Sequence, residues 1–177
     1  MPTIKEIAKA CNVSVATVSN IINHKGSVGD ATRERVEQVI REMNYTPNYV
    51  AKNLKTKNTR SIGVIAEDMT VFALPDIIDG ITEYCEEEDY QILLVNLRLY
   101  KKFQDKYYRD NRHKEIVRQE IQKLLAKQVE GIIYVAAHER LINIIPEDLP
   151  IPTVVAYGFT GSEKIPSVVS ERHKRCV

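Results

Sequence analysis

Four apolar runs in the second part of the chain constrain its fold more than any other feature. They are SIGVIA (61–66), YQILLVN (90–96), GIIYVA (131–136) and PTVVAYG (152–158). Each has the length and composition of a strand that is buried on both faces. Helical patterns lie between the runs, at about 75–88 and 113–128, with a short one near 138–145. Strands that alternate with helices predict an α/β domain with a parallel sheet and right-handed crossovers.

Two further segments complete the prediction for this domain. The stretch 96–114 is long for a connection between a strand and a helix and is heavily charged, so we interpret it as an exposed insertion. A fifth strand is predicted to begin at Ile165–Val169. The polar connector TKNTR (56–60) separates the domain from a different pattern on its N-terminal side.

The first 46 residues predict three helices. Thr3 and Glu6 have the spacing of a capping box, so a first helix runs over about 4–11. A third runs over about 31–43, with apolar residues at helical spacing. The stretch between them, NVSVATVSNIIN (12–23), predicts a turn and a second helix over about 15–22, because Val15, Val18, Ile21 and Ile22 share one helical face.

Two helices joined by a tight turn, the second with small polar residues on its outer side, form a helix-turn-helix. Short donors of this kind can contact phosphates without holding the helix away from the groove. The candidates for phosphate contacts are Thr3, Ser14, Thr17, Ser19 and Asn23. Val15, Ala16 and Asn20 are the candidates for base contacts, since Asn pairs with adenine and Val or Ala touches a thymine methyl. On spacing alone, a plain three-helix bundle with solvent-facing Ser and Thr remains an alternative.

The charge distribution agrees with a polyanion as partner of the first part only. The net charge is +1, but residues 1–60 hold 10 Lys and Arg against 5 Asp and Glu, and residues 61–177 hold 15 against 19. A basic N-terminal module on an acidic body is typical of a chain whose first part meets nucleic acid.

The motifs TIKEIAKACNVSVATVSNIIN and TRERVEQVIREMNYTPNYVAKNLKT closely resemble the LacI/GalR family of bacterial transcriptional repressors. The resemblance covers nearly the whole chain, and SIGVIAEDMT looks like the opening of that family's effector domain. It implies a homodimer whose recognition helices read a pseudopalindromic operator in double-stranded DNA. It also implies a periplasmic-binding-protein-like parallel sheet after the helical head. Asn20 departs from the Arg or His of many relatives, so no operator sequence is inferred.

The resemblance also implies roles for residues outside the helix-turn-helix. The segment 48–56 resembles the hinge helix that folds on operator DNA. Leu54 would wedge into a base step from the minor groove, with Lys55 beside it. In the first effector loop, Asp68, Phe72 and Ala73 become candidates for contacts with a sugar or related metabolite. Packing of Phe72 in a core or subunit interface, and loop capping by Asp68, remain equal alternatives.

The sequence contains no motif of an enzyme, a metal site or a cofactor site, so no catalytic residue, metal or cofactor is predicted. It lacks G-x-G-x-x-G, a P-loop, a nucleophile elbow and H-E-x-x-H. Its three widely spaced cysteines indicate a reducing cytoplasm, and no apolar run is long enough for a membrane span. The alternative to a DNA-binding regulator is a small-molecule-binding or dimerising half-module without DNA regulation.

The predicted organisation has three parts: a helix-turn-helix head (1–46), a hinge helix and linker (47–60), and the N-terminal subdomain of an effector domain (61–177). Family members continue beyond the fifth strand into a second subdomain. We therefore expect an incomplete effector cleft, weak or absent ligand binding, and a sheet edge that lacks its partner strand.

Overall fold

The computed structural model describes residues 2–46, 58–71, 73–104, 107 and 112–170. The chain divides into two compact units, Met1–Lys57 and Asn58–Val177. The predicted hinge helix with Leu54 and Lys55 lies outside the described residues, as do Phe72 and the last seven residues.

Over residues 2–46 the first unit has three short helices: α1 (Ile4–Ala10), α2 (Val15–Ile22) and α3 (Asp30–Glu42). The predicted capping box is present, with the Thr3 amide donating to Glu6 Oε2 at 2.7 Å. The three helices enclose a small apolar core. Its buried members are Ile7, Ala8, Cys11, Val18, Ile21 and Val36.

The second unit is an α/β domain, as the alternation of apolar runs predicted. Its strands are β1 (Ser61–Ala66), β2 (Gln91–Asn96), β3 (Gly131–Val135), β4 (Thr153–Ala156) and β5 (Ser167–Val168). The helices bounded within its described ranges are α4 (Leu74–Glu87), α5 (Leu99–Phe103) and α6 (Lys114–Ala126). The strands pair in the order β2-β1-β3-β4-β5, and every pair is parallel. None of the helices in the described ranges is long and apolar enough to cross a membrane.

Burial in the sheet depends on the position of the strand. The central strands β1 and β3 are almost wholly buried, and α6 packs so closely that a Cβ built on Gly63 would lie 2.7 Å from Leu124 Cδ1. The edge strand β2 is half-exposed, with Leu94 at 41%. The prediction that all four apolar runs are buried on both faces is therefore wrong for β2, because an edge strand has a neighbour on one side only.

The helix predicted near 138–145 is absent. The connection from β3 to β4 is irregular, and its one bridge pairs Leu141 with Phe159. The Ile142 amide donates to the Phe159 carbonyl at 2.7 Å. Pro146 disfavours a helical conformation of the residue before it, and a helix of two turns has little stability of its own. Pairing with the neighbouring segment satisfies the backbone instead.

The segment 96–114 is, over its described residues, only in part the exposed insertion that the sequence predicted. It contains α5, and its apolar members Leu97, Leu99 and Tyr107 are buried in the core of the second unit. The Leu97 amide donates to the Ala66 carbonyl at 2.9 Å, which extends the ladder with β1 beyond the end of β2. The charge of the segment indicated exposure, but the apolar residues placed between the charges pack into the core.

Candidate nucleic-acid interface and carboxyl-edge cavity

Local signals in the sequence form the turn between α1 and α2. Helix α1 ends at Cys11, and Asn12 adopts a left-handed conformation with φ 50°, which Asn tolerates better than most residues. The Val13 amide then donates back to the Ala8 carbonyl at 3.0 Å. Ser14 is the N-cap of α2 and accepts from the Thr17 amide at 3.0 Å. The turn therefore fixes where α2 begins and which side of it faces solvent.

Helix α2 has a buried face and an exposed face. Val18 and Ile21 are 0% and 2% exposed and anchor the helix on the core. Val15 is 41% exposed, although its spacing placed it on the same face as these two residues. Its side chain lies at the N-terminal end of the helix and outside the core of this unit, which agrees with its prediction as a residue near the exposed N-terminal face. Ala16 and Asn20 are exposed as well, so the structure brings all three candidates for base contacts to one open surface.

The candidate phosphate contacts differ in their position on the helices and in the hydrogen bonds that they already make. The hydroxyls of Ser14 and Thr17 lie 2.9 Å apart at the start of α2, where the unpaired amides and dipole of a helix favour anions. The Asn23 amide nitrogen donates to the Ser19 carbonyl at 2.7 Å. Thr3 shares its hydroxyl with Glu6 in the capping box. Ser14 and Thr17 are therefore the better placed of the five.

Gly26 restricts the space around Asn20, which the sequence reasoning did not recognise. Gly26 has φ +74°, and a Cβ at this position would lie 3.4 Å from Asn20 Nδ2. The Lys25 amide donates to the Asn20 carbonyl at 2.8 Å. The loop after α2 therefore passes directly beside the candidate base-reading side chain. The signal in the sequence was a glycine six residues after the asparagine, in a turn.

A cavity of about 540 Å³ opens in the second unit where β1 and β2 end. Of the predicted effector residues, Asp68 is one of its lining residues, while Ala73 is half-buried as the N-cap of α4. Asp68 is only 3% exposed, and its Oδ1 accepts from the amide and hydroxyl of Thr70. Asn96 and Arg98 line the same cavity. The site therefore combines a carboxylate, an amide and a guanidinium, groups that suit a hydroxylated ligand.

Beside the cavity, the fully buried Glu67 accepts hydrogen bonds from three parts of the second unit. Tyr134 of β3 donates its hydroxyl to Oε1 at 2.6 Å, and the Ala137 amide donates to Oε2 at 2.8 Å. Arg140 donates to both carboxylate oxygens, at 2.6 and 3.0 Å. The Tyr107 hydroxyl lies 3.4 Å from Oε2. Sequence reasoning selected Asp68 in this loop and missed Glu67.

The cluster changes the acid–base behaviour of its members. Burial raises the pKa of Tyr134 well above its ordinary value, and the negative charge of Glu67 raises it further. Burial and Glu67 raise the pKa of Tyr107 in the same way. Burial lowers the pKa of Arg140, but the hydrogen bonds and charge of Glu67 outweigh this and raise it overall. Both tyrosines are therefore neutral and the arginine is charged at neutral pH. Among the described residues, no cluster of His, Cys, Asp and Glu could hold a metal ion.

Comparison with known proteins gives the first unit a family match. Residues 3–48 match the family described as bacterial regulatory proteins, lacI family. A protein named HTH-type transcriptional repressor PurR from Vibrio parahaemolyticus is 34% identical over 158 residues, which cover 88% of this chain and 43% of that protein. The ribose operon repressor of Haemophilus influenzae is 29% identical over 155 residues, with the same two coverages. The chain thus spans less than half the length of these relatives.

Solved structures agree with the fold. A lac repressor dimer bound to operator and the anti-inducer ONPF matches 98% of this chain and 49% of its own, with a TM-score of 0.76 at 23% identity. A LacI-family regulator from Silicibacter pomeroyi gives a TM-score of 0.70 at 20% identity. The helical head and the parallel sheet with its connections are therefore those of this fold, of which the chain contains about half.

Proposed function

We propose that this chain, a member of the lacI family of bacterial regulatory proteins, binds double-stranded DNA sequence-specifically and represses transcription. The observation that carries the proposal is the composition of the open face of α2. Val15, Ala16 and Asn20 are exposed there, while Val18 and Ile21 hold the helix on its core. A recognition helix needs this division between a fixed face and a face that meets base edges.

Each group on the open face has a role in the proposal. Asn20 pairs with one base through its amide, and Val15 and Ala16 make apolar contacts with neighbouring bases. Ser14 and Thr17 hold a phosphate at the N-terminus of α2, where the first turn has no acidic residue to repel it. Thr3, Ser19 and Asn23 are proposed as weaker phosphate contacts.

Two further roles are proposed from the resemblance to the family. Two copies of the chain bind as a pair, each with one head on a half-site of a pseudopalindrome. Leu54 enters a base step from the minor groove, with Lys55 beside it. Leu54→Ala should then reduce DNA bending and specific binding while leaving non-specific binding nearly unchanged. Equal bending by the variant would remove the role of Leu54.

The cavity beside Asp68 supports a small-molecule effector as a second element of the proposal. Its lining has hydrogen-bonding groups of every kind that sugar hydroxyls require, including Asp68, Asn96 and Arg98. Titration calorimetry with a panel of sugars, on the chain and on its Arg98→Ala variant, tests this element. Heat of binding that disappears in the variant supports the assignment. Absence of binding by the wild type would remove the effector and leave the DNA-binding proposal unaffected.

The salt dependence of DNA binding tests the proposal as a whole. If the two heads neutralise several phosphates each, the logarithm of affinity falls linearly with the logarithm of salt concentration, by about 0.9 per phosphate contact. Fluorescence anisotropy of a labelled duplex measures the slope. Ser14→Ala and Thr17→Val should lower affinity on all sequences alike. A flat salt response would contradict binding through the heads.

A further inference from the structure

Two residues at the start of the second unit, Thr59 and Arg60, join the beginning of β1 to the turns on both of its sides. Together with Asn58 they follow residues 47–57, which come between the helical head and β1 in the sequence. On one side lies the turn from α4 to β2, and on the other the turn from α6 to β3. The Gln91 amide donates to the Arg60 carbonyl at 2.7 Å, which continues the pairing of β1 with β2. The strand pairing does not account for the other polar contacts of these two residues.

On the α4 side, the Arg60 side chain binds the end of the helix. Its Nε donates to the Asp89 carbonyl at 2.9 Å, and its Nη2 donates to the Glu88 carbonyl. The guanidinium carbon lies 4.8 Å from the centre of the Tyr90 ring. A cation at the carbonyls of a last helical turn is favourable, and so is a guanidinium over an aromatic face. The ion pair with the Asp89 carboxylate contributes little, since that side chain is 95% exposed.

On the α6 side, the backbone of Arg60 and the side chain of Thr59 make the contacts. The Arg60 amide donates to Glu130 Oε1 at 2.7 Å, and Thr59 Oγ1 donates to the Gln128 carbonyl at 2.7 Å. Arg60 has φ +45°, in the left-handed region, which is unfavourable for a residue with a side chain. The strained conformation is thus held by hydrogen bonds on both sides.

We propose that this set of contacts, the Thr59–Arg60–Glu130 clasp, fixes the point at which the connection from the DNA-binding unit meets the second unit, and thereby strengthens DNA binding. Arg60 and Glu130 are then positioning residues for DNA binding. The inference rests on the proposed function of the first unit. The effective concentration of a tethered module depends on the length of chain between fixed points. Opening the clasp adds residues 58–60 to the chain between the two units, which lowers this effective concentration and weakens binding that uses two heads at once.

The charges of Glu130 and Arg60 make it possible to distinguish a role in the clasp from a direct contact of these side chains with DNA. Glu130 is acidic, so its removal should strengthen or leave unchanged any binding that depends on charge alone. The clasp predicts the opposite, a loss of affinity in Glu130→Ala. For Arg60→Ala, loss of a phosphate contact would reduce the salt slope by about 1, whereas loss of the clasp leaves the slope unchanged.

The test measures binding of the whole chain to the duplex that it enriches most from random-sequence DNA. We expect Glu130→Ala and Arg60→Ala to weaken binding by about 1.5-fold, because effective concentration falls roughly as the −3/2 power of a tether that grows by three residues. Glu115→Ala and Arg118→Ala are the matched controls. Both side chains are exposed on α6, and the two substitutions remove the same charges as Glu130→Ala and Arg60→Ala. They should leave affinity unchanged. Thermal unfolding of each variant checks that the second unit remains folded, and Thr59→Val replaces a variant that does not fold.

The outcomes separate the two levels of the proposal. If the wild type enriches no duplex, the proposed function fails and the clasp has no role in it. If the wild type binds and Glu130→Ala binds equally well or better, the function stands and the clasp is overturned. A loss of affinity with an altered salt slope in Arg60→Ala would also overturn it, because Arg60 would then contact DNA itself.

Discussion

Arg140 donates two hydrogen bonds to the carboxylate of Glu67, from Nη2 to Oε1 at 2.6 Å and from Nη1 to Oε2 at 3.0 Å. Glu67 is 0% exposed and directly follows β1, whereas Arg140 belongs to the irregular connection after β3. A bidentate pair of this kind is geometrically specific as well as strong. It holds the connection that lacks a helix against the carboxyl edge of the sheet.

Removal of Arg140 should destabilise the second unit strongly. Arg140→Ala leaves a buried carboxylate without its counter-charge, a change that typically costs about 3–5 kcal/mol. Tyr134 and the Ala137 amide still donate to Glu67, so we expect the lower part of that range. Urea denaturation followed by circular dichroism measures the free energy of unfolding. The exposed Arg118→Ala should change it by less than about 0.5 kcal/mol. Equal stability of the two variants would contradict the role of the pair.

The stability of the second unit should fall at alkaline pH. The pKa values of Tyr107 and Tyr134 are raised in the folded state above the ordinary value of 10.0. Their contribution is therefore fully present below pH 10 and is lost as pH rises toward the folded values, because the unfolded state releases these protons first. Denaturation at a series of pH values should show this decline, and Tyr134→Phe should reduce its slope. A slope unchanged in Tyr134→Phe would show that Tyr134 is not the source.

Two glycines should respond to alanine in opposite directions. At Gly63 the new methyl group would meet Leu124, which is 2% exposed and has no space to move, so we expect a loss of about 1–3 kcal/mol. Gly80 lies within α4, and no atom comes within 4 Å of a Cβ built there. Gly80→Ala should therefore stabilise the unit by roughly 0.4–1 kcal/mol. Thermal melts measure the melting temperature of each variant. If both melting temperatures shift in the same direction, the packing described at one of the two glycines is contradicted.

A side chain at Gly26 should disturb DNA reading through its neighbour. Gly26→Ala places a methyl group 3.4 Å from Asn20 Nδ2 and demands a left-handed conformation that alanine disfavours. We expect weaker discrimination between bases, with smaller change in non-specific affinity. Gly29→Ser is the control, because the space beside Gly29 is open and serine can cap α3. Competition binding against mismatched duplexes measures discrimination. Unchanged discrimination in Gly26→Ala would mean that the loop does not support Asn20.

Where local chemistry determines an element, the sequence predicted it closely. Helix α2 begins and ends where Ser14 and Asn23 indicated, since a cap acts within three or four residues of its helix. The β1 and β3 strands were predicted with similar accuracy because apolar runs of five or six residues have few alternatives in an α/β chain.

Contacts between distant residues were beyond sequence reasoning. Glu67 meets Ala137 and Arg140 across 70 and 73 residues, and no local pattern distinguishes it from the exposed acidic residues. The burial of Tyr107 within a charged segment could not be predicted for the same reason, since its partner Glu67 lies 40 residues away. The clasp at Arg60 required knowledge of which turns flank β1. Such features depend on the strand order, which composition and periodicity leave open.

Selection from random-sequence duplex DNA shows directly whether α2 reads a DNA sequence. The whole chain and its Asn20→Ala variant are each taken through the selection, and the enriched sequences are compared. If α2 is a recognition helix, we expect a pseudopalindromic motif for the wild type. For the variant we expect a base preference that is altered at one position of each half-site, with a loss of discrimination of roughly 1–3 kcal/mol. Enrichment of no motif, or the same motif with the same preferences for both proteins, would contradict this role of α2.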